Sequence, residues 1–309
     1  MRIAIIDCGT NTFHLLIVEK STGSIFKELF KTKSNVKLGE NGITSGYISK
    51  EPFHRGIEAL KSFKRIIDNF QVIEVIAFAT AAIRNAGNAK DFIYAANEEA
   101  GISIEVISGD KEAELIYRGV RKAVDLGDNK SLIMDIGGGS SEFIIANSSS
   151  IFWKKSFKLG ASLLLEKFRP SDPIQEQEIK SMYDYFVDYL SPLMQACQEF
   201  QPKTLIGSSG SFETFSEMIW KKSSSVNYPE DQTSYLFKFS DYINLHQELV
   251  RSTLAERRAM KGLVHMRIEM IVIASLLLTF VLEKTGIMEM KLSTYALKEG
   301  ILEEWLENQ

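Results

Sequence analysis

The sequence predicts an α/β protein made of two duplicated α/β domains, and three observations support this prediction. Short apolar runs typical of strands alternate with segments whose apolar residues recur at helical spacing. A strand–turn–strand unit at the N-terminus recurs in the middle of the chain. The length of 309 residues is long for one hydrophobic core. We place the two domains at residues 1–124 and 125–309.

The first half of the chain predicts three strands followed by alternating helices and strands, in the order βββαβαβα. Ile57, Leu60 and Phe63 recur at the spacing of one helix face, and Gly101 is typical of the residue that ends a helix. The predicted strands are 1–7, 13–20, 24–34, 72–80 and 102–108, and the predicted helices are 51–70, 89–101 and 111–127.

The second half predicts the same opening, a strand, a turn and a strand over 131–146. The run 270–282 is apolar throughout but too short to span a bilayer, so we expect a helix buried in a core. The other predicted strands are 150–160, 204–209 and 288–294, the other predicted helices are 161–168, 173–199, 211–220 and 295–308, and 221–236 is predicted as a polar loop.

The two halves align without a gap over IDCGTNTFHLLI (6–17) and MDIGGGSSEFII (134–145). Asp7 then matches Asp135 and Gly9 matches Gly137, and in both copies a polar turn leads into an apolar strand. An internal repeat of this kind indicates a duplicated structural unit. We expect the two domains to face each other across a cleft that holds both turns.

Both turns carry glycine and small polar residues between two apolar strands. Consecutive backbone N–H groups in such a turn form a concave anion site, and each hydrogen bond to a charged oxygen contributes about 1.5–3 kcal/mol. A plain hairpin with a polar turn would explain either copy alone, whereas the related pair favours phosphate binding. The candidate phosphate-binding residues are Gly9, Thr10, Asn11, Thr12, Gly137, Gly138, Gly139, Ser140 and Ser141.

Three carboxylates accompany these turns. Asp7 and Asp135 each end an apolar strand, and Glu142 leaves the second turn. Bare carboxylates would repel phosphate, and Mg²⁺ bound through one or two carboxylates, water and phosphate reconciles the two. We predict a Mg²⁺ site at these acids, with or without a monovalent cation, although carboxylates that cap turn N–H groups fit the same pattern.

A further acid lies where a strand passes into a helix, in VISGDKEAELIY (106–117). Glu112 falls in the first helical turn, near the sheet edge where open α/β sheets bind ligands, and a carboxylate there can activate a water for attack on phosphorus. For Glu112 read alone, an acid that compensates the helix dipole is the better interpretation. Spacing alone does not choose between Glu112 and Glu114.

Two arginines and one loop complete the candidates. The planar guanidinium of Arg84 or Arg267 suits a phosphate chain, although a salt bridge explains each of them as well, and Arg267 and Glu269 begin the predicted apolar helix. The loop IGSSGSFET (206–214) leads into a helix whose N-terminus could attract an anion. The alternative is an ordinary strand–helix turn with Ser211 as N-cap.

Composition excludes several classes of protein. The net charge of −4 argues against a general nucleic-acid binder, and MRIAIIDCG does not predict a signal peptide. Two cysteines, Cys8 and Cys197, give no disulfide framework and fit a cytoplasmic protein. The four histidines show no metal-ligand spacing, His14 is expected to be structural, and we propose no thiol nucleophile.

Together these segments resemble the exopolyphosphatase/guanosine pentaphosphate phosphohydrolase family of the actin-like ATPase superfamily, over essentially the whole chain. The resemblance implies two actin-like (ribonuclease H-like) domains. The two phosphate turns are shared across the superfamily, whereas the segment around Glu112 and DIGGGSSE are more specific to the family. The matching segments are 6–17, 79–88, 106–117, 135–142, 157–161, 206–214 and 267–274.

The resemblance implies a role for each candidate. Glu112 matches the carboxylate that activates water, and Asp135 and Glu142 match acids required for catalysis and Mg²⁺. Asp7, Asn11 and Thr12 match the first phosphate turn, and residues 137–140 match the second. Arg84 matches a ligand of the phosphate chain, and Arg267 matches an arginine near the domain interface.

The sequence departs from the family at a few positions. Ser141 replaces a usual threonine, Lys111 a common glutamate, and Ala81 a frequent serine. The sequence also lacks the C-terminal helical HD-type domain of longer members and resembles the short ones, which weakens the expectation of high processivity.

We expect an exopolyphosphatase that releases orthophosphate from inorganic polyphosphate, in a chain that forms homodimers. The alternatives are a guanosine pentaphosphate phosphohydrolase, an ATPase or kinase of the same fold, and a non-catalytic sensor of polyphosphate or alarmone.

Overall fold

A computed structural model describes residues 1–20, 26–224 and 232–308. The chain divides into two compact units, one formed by Met1–Arg118 with Leu297–Gln309 and the other by Gly119–Ala296. This division differs from the predicted one, because the last helix of the chain packs in the first unit. There, a Cβ added to Gly300 would lie 1.7 Å from the backbone oxygen of Leu115.

The first unit is built on a five-stranded sheet in the order β3-β2-β1-β4-β5. Strands β1 to β3 form antiparallel neighbours, and β1, β4 and β5 run parallel. The strands are β1 (Arg2–Cys8), β2 (Thr12–Lys20), β3 (Phe26–Asn35), β4 (Glu74–Ala79) and β5 (Ile104–Val106), and the helices are α1 (Lys50–Asn69), α2 (Ala81–Arg84), α3 (Ala89–Ala100), α4 (Gly109–Ala123) and α12 (Leu297–Glu307).

Alternation along the strands gives this sheet two buried faces. Ala4, Ile6 and Cys8 join one apolar core with the buried face of α1, where Ile57, Leu60 and Phe63 follow one another at helical spacing. The intervening residues Ile3 and Ile5 are also buried. Helix α12 contacts β1, so its apolar residues belong to this unit.

The second unit repeats the arrangement with one strand added. Its sheet has the order β10-β11-β9-β6-β7-β8, so that β6, β7, β8, β9 and β11 correspond to β1 to β5. The strands are β6 (Ser131–Ile136), β7 (Ser141–Ala146), β8 (Ile151–Phe157), β9 (Thr204–Ser208), β10 (Ser234–Phe237) and β11 (Glu289–Ser293). The predicted duplication of an α/β domain is therefore confirmed.

The helices of the second unit surround one apolar core. Helix α11 is the most extensively buried of these helices, since every residue from Ile271 to Leu282 is buried, as a helix that is apolar on all sides requires. No helix of the described residues is long and apolar enough to cross a membrane. The helices are α5 (Ala161–Phe168), α6 (Glu176–Tyr189), α7 (Ser191–Phe200), α8 (Ser209–Ser223), α9 (Phe239–Arg251), α10 (Leu254–Ala259) and α11 (Ile271–Thr285), and a short 3₁₀ turn spans His265–Arg267.

The structure differs from the predicted elements at one divided helix and one additional strand. The helix predicted over 173–199 is divided into α6 and α7, because Pro192 lies in the first turn of α7 and a proline cannot continue a preceding helix. Strand β10 lies almost entirely within 221–236, which was predicted as a polar loop, and it is only four residues long. Residues 24–25 of the predicted third strand and 225–231 of the predicted loop lie outside the described residues.

Candidate active site

The two glycine-containing turns have the same geometry. Gly9 N–H donates to the Thr12 carbonyl at 3.2 Å, and Gly137 N–H donates to the Ser140 carbonyl at 3.0 Å. A Cβ on Gly9 would lie 2.9 Å from that Thr12 oxygen, and one on Gly137 would lie 3.0 Å from the Ser140 oxygen. The tight hairpin itself therefore requires the first glycine of each turn. Phosphate binding is not needed to explain Gly9 or Gly137.

A segment after the third strand holds each turn. In the first unit, Lys37 N–H donates to the Asn11 carbonyl at 2.8 Å and Gly39 N–H to the Thr10 carbonyl at 3.3 Å. In the second unit, the N–H groups of Ala161 and Ser162 donate to the carbonyls of Gly137 and Gly138 at 2.9 and 3.0 Å. The sequence contains a signal for these contacts, because Lys-Leu-Gly occurs at both 37–39 and 158–160. The prediction of the two turns did not use this second repeat.

These contacts orient the second turn. Because the carbonyls of Gly137 and Gly138 face the start of α5, the adjoining N–H groups point elsewhere. Among the residues that the structure describes, the N–H groups of Gly138 and Gly139 have no backbone acceptor. Consecutive donors of this kind are the requirement for an anion site in a turn. Ser141 differs, because its hydroxyl donates to the Leu159 carbonyl at 2.8 Å inside the protein.

A row of four polar side chains crosses the second sheet beside this turn. Asp135 of β6 is the register neighbour of Glu142 on β7 and of Ser208 on β9, and Glu142 is the neighbour of Ser156 on β8. Ser208 Oγ donates to Asp135 Oδ2 at 2.9 Å, and Ser156 Oγ donates to Glu142 Oε1 at 2.6 Å. Asp135 is 6% exposed and Glu142 only 1%, so two adjacent carboxylates are buried here.

The corresponding row of the first sheet has a different composition. Asp7 is the neighbour of His14, and His14 is the neighbour of Lys33 on β3. Asp7 and His14 are partly exposed and Lys33 is exposed. The repeat therefore conserves one aspartate in each unit, whereas the second carboxylate and the two serines occur only in the second unit.

The donor set of the second row fits a hard divalent cation. Adjacent carboxylates on neighbouring strands repel each other, and Mg²⁺ is commonly bound by one or two carboxylates with water and phosphate completing the shell. Within the described ranges, no cluster of three or more His, Cys, Asp or Glu side chains could enclose a metal. The residues present therefore fit Mg²⁺ that keeps several water ligands, and the part of Asp7 in such a site stays a prediction.

In the first unit, the structure brings together two of the predicted residues. Arg84 Nη1 lies 2.7 Å from Glu112 Oε2 and also donates to the Ile107 carbonyl at 3.1 Å. The two side chains are 19% and 9% exposed. Arg84 belongs to the short helix α2 that follows β4, and Glu112 to the first turn of α4 that follows β5, so both lie beyond the carboxyl ends of neighbouring parallel strands.

Two charged residues of α4 close to Glu112 contact the last helix or their own helix. Glu114 forms an ion pair with Arg118 at 3.5 Å one turn along the helix, so it is a surface residue of α4. Lys111 pairs with Glu304 of α12. Helix α4 is thus joined to α12 by an ion pair at Lys111, the residue immediately before Glu112.

Arg267 lies against the start of α8. Its Nη1 donates to Thr214 Oγ1 at 2.8 Å, and burial lowers the pKa of the guanidinium, while Glu213 and Glu217 oppose this effect. A Cβ on Gly210 would lie 1.5 Å from Arg267 Nη2, so this glycine makes room for the arginine. Helix α8 begins at Ser209 instead of after Ser211, and Arg267 lies in the 3₁₀ turn before α11.

The cysteines carry no reactive thiol. Burial raises the pKa of the Cys8 thiol well above its usual value, and the neighbouring Asp7 carboxylate raises it further. Burial raises the pKa of Cys197 to about 12. Because the thiolate is the nucleophilic form of cysteine, we propose neither thiol as a nucleophile.

Comparison with known proteins shows the family. The profile of the Ppx/GppA phosphatase family matches residues 16–309. A crystal structure described as an exopolyphosphatase from Cytophaga hutchinsonii is 42% identical, with a TM-score of 0.97 over 100% of this chain and 98% of that one. Exopolyphosphatase 1 of Mycobacterium bovis is 25% identical over 100% of this chain and 89% of its own length. A Ppx/GppA enzyme of Aquifex aeolicus is 24% identical, with a TM-score of 0.79 over 98% of both chains. With the duplicated fold and its two glycine turns, this match over nearly the full length shows that the chain belongs to the Ppx/GppA phosphatase family.

Proposed function

We propose that this protein is an exopolyphosphatase that removes the terminal phosphoryl group of inorganic polyphosphate. The buried ion pair between Glu112 and Arg84 is the observation that carries the proposal, because it fixes a carboxylate beyond the carboxyl end of β5, where open α/β sheets bind ligands. Several relatives whose names or titles say exopolyphosphatase, one of them 42% identical over the whole chain, support the choice of substrate.

In this proposal, Glu112 orients and deprotonates the attacking water. The guanidinium of Arg84 holds the carboxylate in place, which supplies the positioning that phosphoryl transfer requires. The N–H groups of Gly138 and Gly139 bind phosphate oxygens. Asp135 and Glu142 would hold Mg²⁺, which supplies charge neutralisation at the transferred group when bound.

The direct test replaces the proposed base. Glu112→Gln keeps the shape of the side chain and removes its basicity, so we expect the turnover of polyphosphate to fall by about 10²–10⁴-fold. Glu114→Gln is the matched control, since Glu114 lies on the same helix and pairs with Arg118. Normal phosphate release by Glu112→Gln would exclude this mechanism.

The substrate is tested by measuring phosphate release side by side from short polyphosphate, long polyphosphate, guanosine pentaphosphate and ATP, with and without Mg²⁺. We expect the fastest release from polyphosphate and a requirement for Mg²⁺. Faster release from guanosine pentaphosphate or from ATP would replace the proposed substrate by that nucleotide. Binding of polyphosphate without any release of phosphate would identify a sensor.

A further inference from the structure

A serine contacts each of the two buried carboxylates of the second unit. Ser208 Oγ donates to Asp135 Oδ2 at 2.9 Å, and Ser156 Oγ donates to Glu142 Oε1 at 2.6 Å. The serines come from the strands on either side of the carboxylates, β9 and β8. We call these four residues, Ser208, Asp135, Glu142 and Ser156, the polar row.

We propose that Ser156 and Ser208 are positioning residues that hold Glu142 and Asp135 in the orientation that binds a divalent cation. This inference rests on the proposed function only because both place a divalent cation at Asp135 and Glu142. It adds two residues that the sequence alone did not single out. Each serine touches a carboxylate and acts on a metal through it.

The geometry explains why both carboxylates need support. They are register neighbours on antiparallel strands, so their side chains lie on the same face and repel each other. This repulsion favours orientations in which the two carboxylates turn away from each other, whereas a shared cation needs them together. A hydroxyl that holds one oxygen in place removes that rotational freedom, as hydrogen-bonded partners of metal ligands do generally.

The duplicated sheet provides an internal comparison. At the position of Ser208, the first unit has Phe78 beside Asp7, and at the position of Ser156 it has Lys33 beside His14. Neither phenylalanine nor lysine can replace a neutral hydroxyl donor. Both serines thus occur in the unit whose row has two carboxylates, as expected if their hydroxyls hold those carboxylates in place.

The experiment measures metal affinity without substrate. Mg²⁺ is titrated calorimetrically into the full-length protein, and Mn²⁺ binding is followed by electron paramagnetic resonance. We expect Ser156→Ala and Ser208→Ala each to weaken the binding of both ions by about tenfold. Ser156→Thr keeps the hydroxyl on an edge strand that tolerates β-branched residues, and it should restore most of the lost affinity.

Ser293→Ala is the matched control. Ser293 is fully buried in β11 of the same sheet, and its hydroxyl donates to the Tyr295 carbonyl at 2.7 Å. Its variant loses a buried serine hydroxyl outside the polar row, and we expect unchanged metal affinity. Circular dichroism shows whether each variant is folded.

The outcomes separate this proposal from the proposed function. Wild-type metal affinity in either alanine variant overturns the proposal for that serine, and so does an equal loss in Ser156→Thr or Ser293→Ala. Absence of Mg²⁺ and Mn²⁺ binding to the wild-type protein overturns it altogether. If the wild-type protein binds the metal but releases no phosphate from polyphosphate, the proposed function fails while the role of the serines stands.

Discussion

At the scale of single residues, the structure groups candidates that the sequence left separate. Arg84 and Glu112 are 28 positions apart and form one ion pair, and Ser208 is 73 positions from the aspartate that it contacts. The sequence indicated Arg84 and Glu112 as two independent candidates because each had a suitable local context. Their pairing depends on how β4 and β5 are placed in the sheet.

The ion pair gives a prediction for stability. Arg84→Ala leaves the Glu112 carboxylate largely buried without its cation, and removal of one partner from a buried pair is strongly destabilising, here by about 3 kcal/mol. Urea unfolding measures this loss, with Arg65→Ala as control because Arg65 is an exposed residue of α1. If the two variants unfold at the same urea concentration, the pair does not hold Glu112.

A partly buried histidine predicts the pH dependence of stability. Burial lowers the pKa of His246 to about 4, and its Nδ1 lies 3.2 Å from Ser275 Oγ in the second unit. The unfolded chain takes up a proton near pH 6.5, before the folded protein does, so stability falls as the pH decreases from about 6.5 towards 4. Between pH 7 and pH 5 this histidine should remove about 2 kcal/mol of unfolding free energy.

The test is urea unfolding at pH 7 and pH 5. His246→Gln, which does not titrate, should lose less stability than the wild-type protein over this interval. His54→Gln is the control, since His54 is exposed on α1, and it should retain the wild-type loss. The same loss in all three proteins would show that His246 is not responsible.

At the scale of secondary-structure elements, the contact between α5 and the second turn has no room for a side chain. A Cβ on Gly160 would lie 2.2 Å from the carbonyl carbon and oxygen of Gly138. We therefore expect Gly160→Ala to separate the start of α5 from the turn, to lower stability by about 3 kcal/mol and to reduce phosphate release. Gly87→Ala is the control, because its nearest atom would be 3.7 Å away.

Unfolding curves and phosphate-release assays on both glycine variants provide the measurement. Gly160→Ala with wild-type stability and activity would show that the turn can move without consequence. The corresponding contact of the first unit is looser, since a Cβ on Gly39 would meet the Thr10 Cγ2 methyl carbon at 2.9 Å, and a side chain can shift more easily than a backbone.

At the scale of the whole molecule, the end of the chain belongs to the unit formed by its beginning. Ile301 of α12 is 2% exposed, and this helix contacts β1 and approaches α4 at Gly300 and Leu115. Ile301→Ala should destabilise the first unit by about 2–5 kcal/mol. Amide hydrogen exchange should show faster exchange in β1, β2 and α4.

The matched substitution in the second unit is Leu249→Ala, which removes a fully buried side chain of α9. It should increase exchange in the second sheet and the helices around it. If Ile301→Ala increased exchange only in the second unit, the assignment of α12 to the first unit would be contradicted.

The sequence by itself determined the duplicated fold, because strand alternation, helical spacing and the gapless alignment of 6–17 with 134–145 are local signals. It also located both glycine turns, and the tight Gly9 and Gly137 hairpins have that form in the structure. It failed at Leu190, where Pro192 interrupts a helix, and at β10, whose pairing with β11 is not visible in its own residues.

The tertiary structure alone decided which distant side chains meet. It paired Glu112 with Arg84, joined Ser156 and Ser208 to the two buried carboxylates, and placed α12 in the first unit. The physical reason is that periodicity records which face of an element is buried, whereas hydrogen bonds between elements depend on strand order and register, which no single segment encodes.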